Sequence, residues 1–562
     1  MKRKLLARIF ALALCAVTAM PMVACGGGGG SVEEIDTSKT QLRVSYHFSG
    51  FGEEWMKELK KNFEEKYANV SFEEGKMGVQ LPNPKGDTTS TTMTAAQIGQ
   101  YDVYFMEQPF NMYNIMAEGA LEPLDELYTK KNDMDGGKTI DEKVSKAQKD
   151  AYTYGEHVYA IPHYEGNYGL IYNAELFESR GYYFAAEPDK DTGFEFVTAE
   201  NSTKSMGPDG KTGVQNGIDY SLDDGLPTTY DEFFKLCQWI RVDGKEPVCF
   251  PGQFATMHLT MLMDNIMTVA AGPEQMRLNY TYSGLADNLV MFDSNNNIIF
   301  NNDGTPKTES MLINDSNAYN LSRQASRYYG MEFMDRFLSE ESNFNKADAI
   351  NKTLSHTDNQ ENFIKGESAM LADGCWWQAE SIGVFQNMAK EDQKYSQDAR
   401  KFGWLPLPQP TKAEAEKVAN GTKKSAYSDY LCAVSCVSAG LSKGVKDAAF
   451  ALLQYMYSDE GLANFTYTTG TTIGVDYINT LDNTKLNYYE KTLINYIKKS
   501  ETVHEYSNND LYRVNFSKLI PTKAYSNGKY DSVWTGIYQS EVSAMDYFKG
   551  NQNLYKSIAW GN

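Results

Sequence analysis

The sequence predicts an α/β protein of at least two domains, and two observations point there. Its 562 residues exceed what a single hydrophobic core serves. The folded part opens on a strand–helix–strand grammar that returns after residue 101, the signature of a parallel sheet with helices on its faces.

The elements follow in order. "TQLRVSYHFSGF" (40–51) alternates Leu42, Val44 and Tyr46 and reads as a strand. The helix "EEWMKELKKNFEEKY" follows, with Trp55, Leu59 and Phe63 on one face, and "NVSFEEG" (69–75) reads as the next strand. Residues 101–127 repeat the pattern: a strand over 102–106, a loop, then a helix stopped by Gly119. Residues 157–182 read as strand, loop, strand and short helix. In "LPTTYDEFFKLCQWIRV" (226–242), Thr229 with Glu232 three residues on marks a helix start. "FATMHLTMLMDNIMTVAAG" reads as a buried helix whose Met-rich 257–267 belongs to a core, and 324–340 as an amphipathic one. Residues 186–225 and 279–318, rich in Gly, Asp, Asn and Ser, read as insertions, the second containing a hairpin.

Composition excludes some functions. A formal charge of −21 argues against nucleic acid, whose phosphates require basic patches. Residues 1–24 have a basic start and an apolar run, the pattern of an export signal. "MVAC" (22–25) resembles a lipobox with Cys25 as the acceptor, although Met22 stands where Leu is usual. Lipidation there would anchor the chain to a membrane, and 25–39, including "GGGGGS", would be a flexible tether. The five later cysteines match no zinc spacing and read as buried small residues, with one disulfide left open. There is no G-x-S-x-G, H-E-x-x-H, P-loop or G-x-G-x-x-G helix start. Carboxylates are plentiful enough that an acid/base pair of a secreted polysaccharide hydrolase stays open on inventory alone.

Several segments, in order, resemble the extracellular solute-binding proteins of carbohydrate ABC transporters, the maltose-binding-protein-like group. They are "YGLIYNAELFESRGY", "LPTTYDEFFKLC", "NFIKGESAMLADGCW", "FGWLPLPQP" and "KDAAFALLQYMYSDEGLANF". The resemblance implies a type II periplasmic-binding-protein-like fold with two lobes discontinuous in sequence. Lobe one would take 40–164 and 425–475, and lobe two 165–424 and 476–562. Hinge crossovers would fall near 164–166, between 406–410 and about 430, and near 470–480. It implies a non-enzyme, a monomer on the outer face of a bacterial membrane, that holds a carbohydrate between the lobes and delivers it to an ABC permease. A surface sensor or adhesin without a transporter is the other reading of the same fold.

In open α/β sheets, ligands bind beyond the carboxyl ends of strands. That rule selects Tyr46, His47 and Phe51 after the first strand and Glu107 and Gln108 after 102–106. It adds Tyr164 and Glu165 (with His163) in the first crossover, and Asp373, Trp376 and Trp377 after "SAMLA". Aromatic faces suit pyranose C–H faces, and carboxylates and amides suit hydroxyls. Duller roles stay open: core for Tyr46, structural for the histidines, helix caps for Glu107 and Gln108. Trp376 and Trp377 start a helix and so point roughly 100° apart. The family's G-x-W falls on Gly374–Trp376, which gives Trp376 to the ligand and Trp377 mainly to packing. No cofactor is expected. Asp209, Asp219, Asp223 and Asp224 are candidates for a structural Ca²⁺, against a plain solvated acidic loop.

Overall fold

Short apolar runs at 44–47, 103–106 and 434–437 are buried along their whole length, so they form strands inside a layered structure rather than at its edge. The structure is a computed structural model describing residues 33–559, apart from 88–89, 110, 188–195, 340–354, 508, 510 and 513–532. The export-signal reading of 1–24, Cys25 and the start of the tether lie outside the described residues. The chain divides into two units. Unit one takes the described part of Met1–Tyr164 with Leu431–Thr469 and Ile473–Tyr477; unit two takes Glu165–Tyr430, Gly470–Thr472 and the described part of Ile478–Asn562.

Unit one is built on a five-stranded sheet in the order Lys85–Asp87, Val44–His47, Val103–Met106, Val434–Val437, Ile161–Pro162. The first three strands are parallel, and Val434–Val437 runs antiparallel to both of its neighbours. The helix Glu54–Lys66 buries Trp55, Met56, Leu59 and Phe63. Trp55 meets Tyr46 and Phe105 edge-on, each with ring centroids 5.6 Å apart. The strand expected at 69–75 does not form. Val70 is exposed there, and the chain turns through Gly75 and Gly78 at positive φ before pairing at Val79–Gln80. Two apolar residues alternating among acidic ones had no buried face to occupy.

Unit two holds a four-stranded sheet in the order Glu246–Cys249, Ser368–Gly374, Tyr168–Asn173, Phe402–Leu405. Only the first pair is parallel. A second, parallel pair joins Ser425–Asp429 to Ser500–His504. The helix Tyr230–Val242 starts on a capping box in which Thr229 and Glu232 satisfy each other's backbone. The helix Ala255–Ala271 is buried on most sides, with Met261, Met263 and Met267 inside. It lies so close to Ala325–Ser339 that a Cβ at Gly330 would fall 2.6 Å from Met263. Gly284–Val290 and Thr308–Ile313 form an antiparallel hairpin. The five described cysteines are all buried: Cys432 and Cys436 in unit one, Cys237, Cys249 and Cys375 in unit two. Among the described residues no helix is long and apolar enough to cross a membrane.

Candidate functional site

In unit one the alternation of a strand decides which side chains meet. Tyr46 faces the helix and packs edge-on against Trp55, which places it in the core on the opposite side of the strand from His47. His47 points the other way. Its Nε2 lies 3.2 Å from Glu107 Oε1, while its buried Nδ1 has no hydrogen-bond partner. Phe51, in the turn after the strand, stacks on Tyr164 at 4.3 Å, and His47 approaches the same ring at 5.9 Å. The Tyr164 hydroxyl is buried without a partner, and burial followed by the Glu107 charge pushes its pKa well up. Gln108 Oε1 lies 3.2 Å from the Tyr152 hydroxyl, which also reaches the Cys432 carbonyl at 3.0 Å. His47, Phe51, Glu107 and Tyr164 thus form one cluster, with Gln108 beside it. His163 is core: burial lowers its pKa to about 3, so it is a neutral imidazole.

Unit two gathers a second cluster at the end of the Ser368–Gly374 strand. Asp373 is 1% exposed, and its Oδ1 accepts from the Gly374 amide at 2.7 Å. Its Oδ2 has no hydrogen-bond partner and lies 3.5 Å from His356 Nε2. The same nitrogen is 3.4 Å from Glu380 Oε2, which accepts from Gln360 at 3.2 Å. Against the opposing effect of burial, the Glu380 charge and then the hydrogen bond and charge of Asp373 raise His356 to about 9; burial raises Glu380 to about 7. His258, whose Nδ1 lies 2.5 Å from the Tyr168 hydroxyl, is driven down to about 4 by burial.

The two tryptophans separate. Trp376, half-buried, caps the short helix Trp377–Glu380, and its ring folds back over Gly374 so closely that a Cβ there would fall 2.3 Å from it. Glycine is required for that placement, which gives the G-x-W spacing a physical cause. Trp377 is 0% exposed, with Phe363, Phe385, Phe402 and Tyr489 set edge-on around it. No face of its ring is left for a ligand, so its place among the predicted ligand contacts is corrected to core. Glu165 is corrected as well: Tyr427 and Thr502 donate to Oε1, each at 3.0 Å, and Thr472 to Oε2 at 2.7 Å. Both of its oxygens are already engaged inside unit two, and burial raises its pKa.

Of the four aspartates weighed for calcium, Asp223 gives both oxygens to Lys499 and Asp219 accepts from Ser221. Asp209 accepts from the Lys211 amide, and burial raises Asp224 to about 6. No three of these carboxylates bring oxygens within 4.8 Å of one another.

The sequence reading missed His356, Gln360 and Glu380. One signal for His356 was present. A ten-residue helix ending at Gly366 and a strand starting at Ser368 must run back along each other, which returns the helix start to the strand's end.

The chain matches the sequence profile of the bacterial extracellular solute-binding protein family over residues 48–463. Compared with curated protein sequences, it matches none. Among solved structures it is similar to a chitin oligosaccharide binding protein, at 13% identity and a TM-score of 0.53, covering 93% of this chain and 100% of that one. It is also similar to the GacH receptor of Streptomyces glaucescens, solved unliganded and with acarbose, at 13% identity and a TM-score of 0.51, covering 93% and 99%. A third is the bacterial solute receptor AcbH, described as preferring β-D-galactopyranose, at 12% identity and a TM-score of 0.53, covering 93% and 99%. The likeness establishes the type II periplasmic-binding-protein-like fold.

Proposed function

This chain belongs to the bacterial extracellular solute-binding proteins, and on that footing we propose that it captures a carbohydrate, an oligosaccharide, and delivers it to an ABC permease. The proposal includes a lipid anchor at Cys25 and action as a monomer on the outer face of the membrane. The family is one of binding proteins rather than enzymes, which leaves the polysaccharide-hydrolase reading without support. The observation that carries the carbohydrate reading is Trp376, a half-buried indole held over Gly374 at the end of the Ser368–Gly374 strand. An aromatic face beside hydrogen-bonding groups is what a sugar ring asks of a protein, being apolar on its faces and polar at its edge. In unit one, His47 and Glu107 bring hydrogen-bonding groups beside Phe51, whose ring is buried against Tyr164. The solved relatives add weight: one binds chitin oligosaccharide, one was solved with acarbose and one prefers β-D-galactopyranose.

The test is titration of the purified protein with fluorescently labelled chito-, malto- and xylo-oligosaccharides. Saturable binding without product is expected; turnover, or binding of peptides alone, would overturn the reading. Membrane fractionation of a Cys25→Ala variant tests the anchor separately, with release from the membrane expected.

A further inference from the structure

We propose that His356, Asp373 and Glu380 form a binding site for a divalent transition metal of the zinc class. The inference goes beyond sugar binding and does not rest on it. Its first support is distance. His356 Nε2 stands 3.5 Å from Asp373 Oδ2 and 3.4 Å from Glu380 Oε2, and all three donor atoms lie within 4.8 Å of one another. These separations exceed the usual range of about 2.7–3.2 Å for an N–H···O bond. They match the edge of a tetrahedron drawn around an ion with bonds of about 2.0–2.2 Å, which is roughly 3.4 Å.

The second support is proton accounting. One imidazole nitrogen carries one hydrogen, and that hydrogen cannot serve two carboxylates at equal, long distances. Asp373 Oδ2 is the atom left over: buried, without a hydrogen-bond partner, and aimed at His356. A buried carboxylate oxygen whose nearest donor stands at 3.5 Å is poorly satisfied, and a metal ion taking the place of the imidazolium proton would serve all three atoms at once.

The surroundings fit a ligand set. Asp373 is oriented by the Gly374 amide on its other oxygen, and Glu380 by Gln360, as outer-shell partners orient metal ligands. Asp373 is sealed at 1% side-chain exposure, whereas His356 at 13% and Glu380 at 14% leave a way in. One imidazole with two carboxylates suits zinc or a neighbouring transition ion better than Ca²⁺, which takes six to eight oxygen ligands. Three protein ligands leave a fourth position for water. A metal there would pin the strand end that carries Asp373 to the short helix that follows Trp376.

The test uses the full chain, stripped with a chelator and titrated with Zn²⁺ by calorimetry without sugar present. Co²⁺ replaces Zn²⁺ for a visible-absorption readout of coordination. One equivalent of Zn²⁺, a tetrahedral Co²⁺ band and a Tm raised by metal are expected. Glu380→Gln keeps the shape and His356→Gln removes the nitrogen ligand; each is expected to weaken binding at least tenfold. Substitution of the exposed His157 is expected to change nothing. Absence of saturable binding would overturn the proposal, as would one-equivalent binding unchanged in both variants. Because sugar is absent, failure of the carbohydrate reading would leave this result standing.

Discussion

Unit one buries a lysine between two carboxylates, whereas unit two buries carboxylates against hydroxyls and against one another and sets its buried Arg327 on neutral acceptors. In unit one, Lys143 donates to Asp135 at 2.8 Å, Asp459 at 2.7 Å and the Tyr457 carbonyl at 2.9 Å, with its side chain 4% exposed. Its buried histidine, His163, is held neutral. In unit two, Glu165 rests on three hydroxyls, and Glu380, Glu490 and Glu505 are each raised to about 7, with burial the leading cause. From this difference we expect the two halves of one chain to respond oppositely to pH.

The sign follows from linkage. His163 has a lowered folded pKa, so its contribution to unit one is present above about 6.5 and is lost as pH falls toward 3. The raised carboxylates of unit two contribute stability that is full below about 4.5 and is lost as pH rises through about 7. His356, raised to about 9, extends that loss into alkali, while His258, lowered to about 4, works against it in acid.

The largest expected effect breaks the comparison at its strongest points. Lys143→Met leaves Asp135 buried without its cation and is expected to cost about 3–5 kcal/mol, read by urea denaturation. Trp377→Ala in unit two is expected to cost about as much, roughly 3–5 kcal/mol, through the cavity left among four aromatic rings. Trp376→Ala, by contrast, should cost clearly less stability than Trp377→Ala while weakening oligosaccharide binding about tenfold or more. A variant pair that behaved the other way round would exchange the roles of the two indoles.

Next in size is the pH response. Hydrogen exchange on the intact chain, corrected for intrinsic rates, should show unit one losing protection first below pH 6 and unit two first above pH 7. Glu490→Gln keeps the capping box at Asn487 but removes the titration. It is expected to stabilise unit two at pH 8 by on the order of 2 kcal/mol and to do nothing at pH 4. Equal protection of both units across that range would dissolve the contrast. The smallest effect sharpens it by showing where the units agree. Ser145→Ala in unit one and Thr229→Ala in unit two each break a capping box, and each is expected to cost about 1 kcal/mol in chemical denaturation.

How much of this was legible in the sequence depended on range. The capping box at Thr229, the helix stop at Gly366 and the buried methionine helix are local patterns, and each was readable. Tyr46 and His47 are neighbours on one strand, so period-two alternation alone could have divided them. The stretch at 69–75 misled because two apolar residues among acids imitate a strand when no partner is visible. The cluster of His356, Gln360 and Glu380 was hidden for a different reason: it exists only once a helix has returned along a strand. Glu165 was misplaced because its three hydroxyl partners come from segments 262, 307 and 337 residues away.

The buried cysteines have a practical use. Burial raises the thiol pKa of Cys436 in unit one and of Cys237, Cys249 and Cys375 in unit two, so the reactive thiolate is suppressed while each unit stays shut. A thiol-labelling reagent followed by peptide mapping would therefore act as a pair of clocks, timing the opening of each half independently within a single molecule.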